Sequence, residues 1–218
     1  METIFKKFVN KEIKLNDCHG KIITIEGIDG AGKTTLVDKC VKELQLRGYK
    51  AKHFYVSSNF NVFWDVVKTG INNNYIDNDM NQMLHNIYFL TYLKTLFIEY
   101  LNTYDFLLSE WYIYGKMVLS ELYTKNEFCN SKKLLDLELS QNNIILPDYS
   151  FFIDTLPEEA LKRIKNRNGI AESKESYNKL IEAYNIWQKY IKLYNIEVLN
   201  GMDSINVNTS KILKKVLK

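Results

Sequence analysis

A lysine, two threonines and three glycines at fixed spacing are the first residues of this chain that could do chemistry. They lie in Gly27-Ile28-Asp29-Gly30-Ala31-Gly32-Lys33-Thr34-Thr35, which fits the pattern G-x-x-x-x-G-K-[ST]. In a loop of this kind the backbone N–H groups wrap phosphate oxygens. Glycine lets the chain turn tightly and come close to a phosphate with no Cβ in the way. The Lys33 ammonium would reach the β- and γ-phosphates of a nucleoside triphosphate, and the Thr34 hydroxyl would ligate Mg²⁺. Gly27, Gly30, Ala31, Gly32, Lys33, Thr34 and Thr35 are therefore the candidate residues for binding the donor nucleotide, with Thr34 as a metal ligand.

Such a loop works only between a strand and a helix, and the flanking residues predict both. Residues 21–26 (KIITIE) form a short β-branched run suited to a buried strand. From Lys33 onward, Leu36, Val37, Cys40, Val41 and Leu44 recur at helical spacing, and Gly48 is placed to end the helix. The positive N-terminal end of that helix favours an anion.

The rest of the chain repeats the alternation. Strands are expected over 49–57, 105–109, 149–154 and 196–199. Helices are expected over 58–71, 83–101, 112–124, 131–142, 176–193 and 210–217, with another opened by Pro157-Glu158-Glu159-Ala160. Residues 72–81 read as a polar loop, and 169–175 as a polar segment suited to a flap. Strands alternating with helices predict an α/β fold, a five-stranded parallel sheet in three α/β/α layers. Ligands gather beyond the C-terminal ends of such strands, where Glu110, Asp154 and the residues after Leu199 fall.

Composition narrows the class of molecule. At 218 residues, with 46% hydrophobic and 25% charged residues, the chain suits one soluble globular domain. A net charge of +3 without a long basic run argues against a nucleic-acid partner. No apolar stretch reaches the 18 residues of a membrane span, and the first 20 residues lack the apolar run of a secretory signal. Cys18, Cys40 and Cys129 have no metal or redox spacing and are expected to be reduced thiols in a cytoplasmic protein.

Two stretches carry a resemblance. Residues 25–35 (IEGIDGAGKTT) are similar to the corresponding loop of the thymidylate kinase family, a branch of the P-loop nucleotide kinases. Pro147-Asp148, the strand Phe151-Phe152-Ile153-Asp154 and the helix beginning Pro157-Glu158-Glu159-Ala160 resemble the segment that leads into that family's lid. Glu182-Ala183-Tyr184 is a weaker match. The resemblance covers the chain from about Lys21 to the C-terminus. It implies one P-loop kinase domain with an N-terminal extension over 1–20 and a lid over about 168–175. It further implies Mg²⁺-dependent phosphoryl transfer from ATP to a deoxynucleoside monophosphate, in a protein that can pair as a homodimer. Asp29 resembles the family's acid toward the acceptor sugar. Because Gly30-Ala31 stands where some members carry a basic residue, the lid is expected to supply the cation, from Arg163, Arg167 or Lys174.

Several positions depart from the family pattern. Where arginine–glutamate–proline–glycine–glycine is usual after the second strand, this chain has Val56-Ser57-Ser58-Asn59-Phe60. Lys94 is the only basic residue between Ile87 and Phe97, where the family's long helix carries an arginine. Glu110-Trp111-Tyr112 replaces aspartate–arginine–tyrosine. A planar bidentate donor is not replaced by tryptophan or serine. Glu110 is a candidate for binding Mg²⁺ or for accepting a proton from the acceptor. Tyr88, Phe89 and Tyr92 could sandwich a base or pack in the core, and Trp111 and Tyr112 should open on the acceptor cleft. Three readings follow: a kinase for a nucleoside monophosphate, a kinase for a deoxynucleoside or other hydroxyl acceptor, and a nucleotide-binding protein without transfer activity.

Overall fold

A computed structural model describes residues 19–54, 61–94, 98–124, 130–141, 144–168 and 176–218, the side chains of 61–66, 98 and 168 excepted. The N-terminal arm through residue 18, the segment 55–60, Cys18, Cys129, Phe97 and the proposed lid with Lys174 lie outside the described residues.

The β-branched run forms β1 (Lys21–Glu26), of which only Lys21 is exposed. β1 is the middle strand of a five-stranded, wholly parallel sheet of order β2-β3-β1-β4-β5. On one side it pairs with β3 (Phe106–Ser109), Lys21 opposite Phe106, and beyond β3 lies β2 (Ala51–His53). On the other it pairs with β4 (Tyr149–Asp154), Ile23 opposite Tyr149, and beyond β4 lies β5 (Glu197–Asn200). Asp148 begins the β4 side by accepting the Ile22 N–H on Oδ2 at 2.7 Å and donating its own N–H to Ile22 O at 2.9 Å.

Among the described residues nine helices cover the sheet. They are α1 (Lys33–Leu46), α2 (Asn61–Asn72), α3 (Asn78–Tyr92), α4 (Ile98–Thr103), α5 (Ile113–Tyr123), α6 (Asn130–Ser140), α7 (Pro157–Asn168), α8 (Tyr177–Leu193) and α9 (Ile205–Val216). α1 and α9 pack on each other, while α5 packs on both α3 and α8. The result is the three-layer α/β/α architecture expected of alternating strands and helices. Trp187 of α8 is fully buried against Phe152 of β4, ring centroids 5.3 Å apart.

Three element boundaries differ from expectation. The polar stretch 72–81 is partly helical, because Asp77 caps α3 by accepting the Met80 N–H at 2.7 Å. The long helix expected over 83–101 departs from α geometry within its described part: α3 ends at Tyr92, and Leu93 and Lys94 form a wider π turn. The last helix begins five residues before Ser210, where the Ser204 hydroxyl accepts the Val207 N–H.

Candidate active site

The chain leaves β1 at Glu26 and turns through 27–32 into α1. Gly30 and Gly32 sit in the left-handed region, at φ 80° and 97°. At Gly30 a Cβ would also lie 2.4 Å from the Ala160 carbonyl oxygen of α7, so this residue needs both the freedom and the space of glycine. Gly32 is the N-cap of α1 and no side chain caps the helix. Its first-turn N–H groups therefore point at the cavity with no side-chain competitor, the arrangement suited to phosphate.

Lys33 is 6% exposed. It donates to Ile28 O at 2.9 Å, lies 3.6 Å from Asp29 Oδ1 and sits 4.3 Å from the centre of the Trp111 ring. Beside it the Thr34 hydroxyl donates to Glu110, 2.9 and 3.0 Å from the two carboxylate oxygens. β3 ends at Ser109 and so delivers Glu110 to this point, 76 residues from Thr34 in the chain. His53 at the end of β2 stands behind Glu110, Nε2 being 3.9 Å from Oε1, with Nδ1 2.6 Å from Asp38 Oδ1 of α1.

A cavity of about 350 Å³ joins these groups, and Asp29, Gly30, Gly32, Lys33, Thr34, Thr35, Glu110, Arg163 and Arg167 all line it with Trp111. Most of the residues singled out from the sequence thus meet at one place. Ala31 lines an adjoining cavity of about 270 Å³ with Thr35, Arg163, Gly201 and Asp203. Gly27 lines neither and serves at the strand end, at φ 155°. Arg163 is tied down rather than swinging: Nε donates to Glu159 at 3.0 Å, Nη1 to Ala31 O at 3.3 Å and Nη2 to Gly201 O at 3.0 Å. Arg167, one turn further along α7, lies on the side leading to residue 169.

The donor set fits Mg²⁺. One hydroxyl and one carboxylate are hard oxygen ligands, and this ion completes its shell with water and substrate phosphates rather than a protein cage. Among the described residues no cluster of three or more His, Cys, Asp or Glu exists that would hold a different metal.

One expectation for the acceptor side needs correction. Tyr112 does not open on the cleft; it is fully buried, its hydroxyl donates to Ile145 O at 2.8 Å, and its ring meets Phe89 edge-on at 5.4 Å. Of the two readings of Tyr88, Phe89 and Tyr92, core packing describes Phe89 and Tyr92, which are buried. Trp111 alone of the strand-end pair lines the cavity, at φ 57° just beyond the end of β3.

Glu26 is a group that motif spelling did not single out as functional. It is wholly buried, and burial pushes its carboxyl up to about 7 although Lys33 and the Tyr112 and Trp111 N–H groups favour the charged form. The signal was present in the sequence: an acid ending a β-branched run suited to a buried strand. Lys116, lowered to about 8, and His85, lowered to about 4, are both shifted mainly by burial. Nothing in residue spacing marked His53 or Gly115.

The family model described as thymidylate kinase matches residues 25–212. The chain belongs to the thymidylate kinase family. Thymidylate kinase of Buchnera aphidicola is 28% identical over 198 residues, covering 87% of this chain and 88% of its own length. Thymidylate kinase of Prochlorococcus marinus is 26% identical over 208 residues, covering 91% and 96%. Thymidylate kinase of Plasmodium falciparum is 23% identical over 205 residues, covering 91% and 90%. Family membership makes the chain a nucleoside monophosphate kinase, an enzyme of phosphoryl transfer, and does not favour a nucleoside acceptor or binding without transfer. Among the described residues no helix is long and apolar enough to cross a membrane.

Proposed function

We propose that the protein transfers the γ-phosphoryl group of ATP to dTMP or a closely similar deoxynucleoside monophosphate. The observation that carries this reading is the convergence of Lys33, Thr34 and Glu110 in one cavity at the C-terminal edge of the sheet. Catalysis of this transfer is mainly positioning and charge stabilisation, which fixed amides and a shielded ammonium provide.

The backbone N–H groups of 30–35 and Lys33 hold the donor phosphates. Thr34 and Glu110 would hold Mg²⁺, which would supply charge neutralisation on the phosphates. Arg163, immobilised between the loop and Gly201, presents a planar guanidinium toward the adjoining cavity and serves the nucleotide end of the donor. Arg167 brings the lid's cation toward the transferred group, and Asp29, about half exposed at the cavity wall, faces the acceptor sugar. The same proposal takes the chain as one domain with an extension over 1–20 and a lid near 168–175, working in the cytoplasm without nucleic acid and able to form a homodimer.

The test is ADP release from Mg·ATP with dTMP, dUMP, dGMP, dAMP, dCMP, thymidine and deoxyadenosine offered separately, and Lys33→Ala as the blank. Strong stimulation by dTMP is the expected result. Stimulation confined to nucleosides would overturn the choice of acceptor.

A further inference from the structure

Trp111 stands where the family pattern has an arginine, and the neighbouring geometry gives it a task of its own. We propose that Trp111 is a positioning residue for Lys33, a fixed aromatic wall that holds the ammonium at the phosphate loop and keeps water from it. The proposal rests on the kinase reading only for the donor half of the site.

The contact itself is close: the Lys33 ammonium lies 4.3 Å from the ring centre, within the range where the negative face of an indole attracts a cation. Indole is the strongest such face among the side chains. Lys33 has carbonyl and carboxylate oxygens on its other sides, Ile28 O at 2.9 Å and Asp29 Oδ1 at 3.6 Å. The ring thus closes a side that no oxygen occupies in that set.

The wall is rigid for a traceable reason. Trp111 has φ 57°, a region that residues with a Cβ rarely adopt. Such a conformation persists only where the surroundings over-determine it. Here the buried Glu26 carboxylate accepts the Tyr112 N–H at 3.1 Å, pinning the turn immediately after the tryptophan. Residue 115 is glycine, and a Cβ there would stand 2.8 Å from Glu26 Oε2 and 2.9 Å from Trp111 Cε3. Glu26, Gly115 and Trp111 therefore interlock, and the interlock delivers the ring to Lys33. A tryptophan that merely covered surface would need neither the buried acid nor the glycine.

The test reads nucleotide affinity without any acceptor, so a silent acceptor panel would leave it intact. Binding of the Mg²⁺ complex of adenylyl imidodiphosphate is measured by calorimetry for the wild type, Trp111→Phe, Trp111→Leu, Trp111→Ala and Gly115→Ala, with KM for Mg·ATP and kcat alongside. Trp111→Leu should weaken binding about tenfold, because it keeps bulk and loses the π face. Trp111→Phe should stay within about threefold of the wild type, and Gly115→Ala should follow Trp111→Leu. The kinetic loss should fall on KM for Mg·ATP more than on kcat. Indole emission should change when the nucleotide binds, and Trp111→Phe should abolish that change. Trp111→Leu binding as tightly as the wild type would overturn the proposal, as would Trp111→Phe being as weak as Trp111→Leu. Should Trp111→Ala not fold, the Phe and Leu variants decide the matter alone.

Discussion

Lys33 contacts the Ile28 carbonyl, the Asp29 carboxylate and the Trp111 ring within the protein, with the buried Glu26 carboxyl as a further charge partner. Its place is at the cavity and not in the hydrophobic core, so Lys33→Ala should reduce transfer by about a thousandfold or more while circular dichroism stays unchanged. Retained transfer in that variant would remove the loop from the mechanism. Glu110 and Thr34 share a hydrogen-bonded oxygen pair, so Glu110→Ala should raise the Mg²⁺ concentration for half-maximal activity about tenfold or more. An unchanged Mg²⁺ dependence would mean that the carboxylate acts elsewhere. Lys33 and Thr34 were singled out by motif spacing, and Glu110 by its place at a strand end, and the structure brings the three together. The opposite fates of Trp111 and Tyr112 were not legible in the sequence. A positive φ at a residue other than glycine costs about 1–3 kcal/mol and leaves no mark in the local sequence, since distant Glu26 helps impose it.

At the level of elements, strand–loop–helix continuity carries the site, and two side contacts hold it. Asp148 satisfies the N–H of buried Ile22, so Asp148→Ala should destabilise the protein by about 1–3 kcal/mol by leaving that donor unpaired. Urea unfolding would show it as a lower midpoint with an unchanged slope. Gly30 rests against the Ala160 carbonyl, so Gly30→Ala should lower stability by about 2 kcal/mol or more and weaken ATP binding with it. Full ATP affinity there would mean that α7 yields without moving the loop. The parallel arrangement of the strands follows from physics the sequence does show, since β-branched runs spaced by helices must make a parallel sheet; their order does not. Nor does the start of α3, because three of the four residues 78–81 are polar and the helix depends on one cap, Asp77. The π turn at Leu93–Lys94 likewise has no proline or glycine to announce it.

For the molecule as a whole, burial of titratable groups links stability to pH. Glu26 titrates near 7 when folded and at an ordinary value near 4.5 when unfolded. The folded state therefore binds the proton more tightly, and the stability contributed by protonated Glu26 is full below about 4.5 and is lost as the pH rises toward 7. Glu26→Gln removes this dependence, so its melting temperature relative to the wild type should be higher at pH 8 than at pH 5. His85 also titrates abnormally, down to about 4, but is common to both proteins and cancels in the difference. An equal gap at the two pH values would contradict the burial of an ionisable carboxyl. Cys40 is fully enclosed and its thiol is pushed up to about 12, so a thiol reagent should leave Cys40 unreacted until denaturant is added. Because β1 is the middle strand, its partners are translated long after it: Phe106 on one side, Tyr149 on the other, and Gly201, which anchors Arg163 beside the loop, last of all. A ribosome thus releases the phosphate loop early but cannot finish the enzyme early. Chains stalled before residue 149 should emerge without affinity for ATP, and during synthesis the unpaired edge of β1 is the surface most in need of a chaperone.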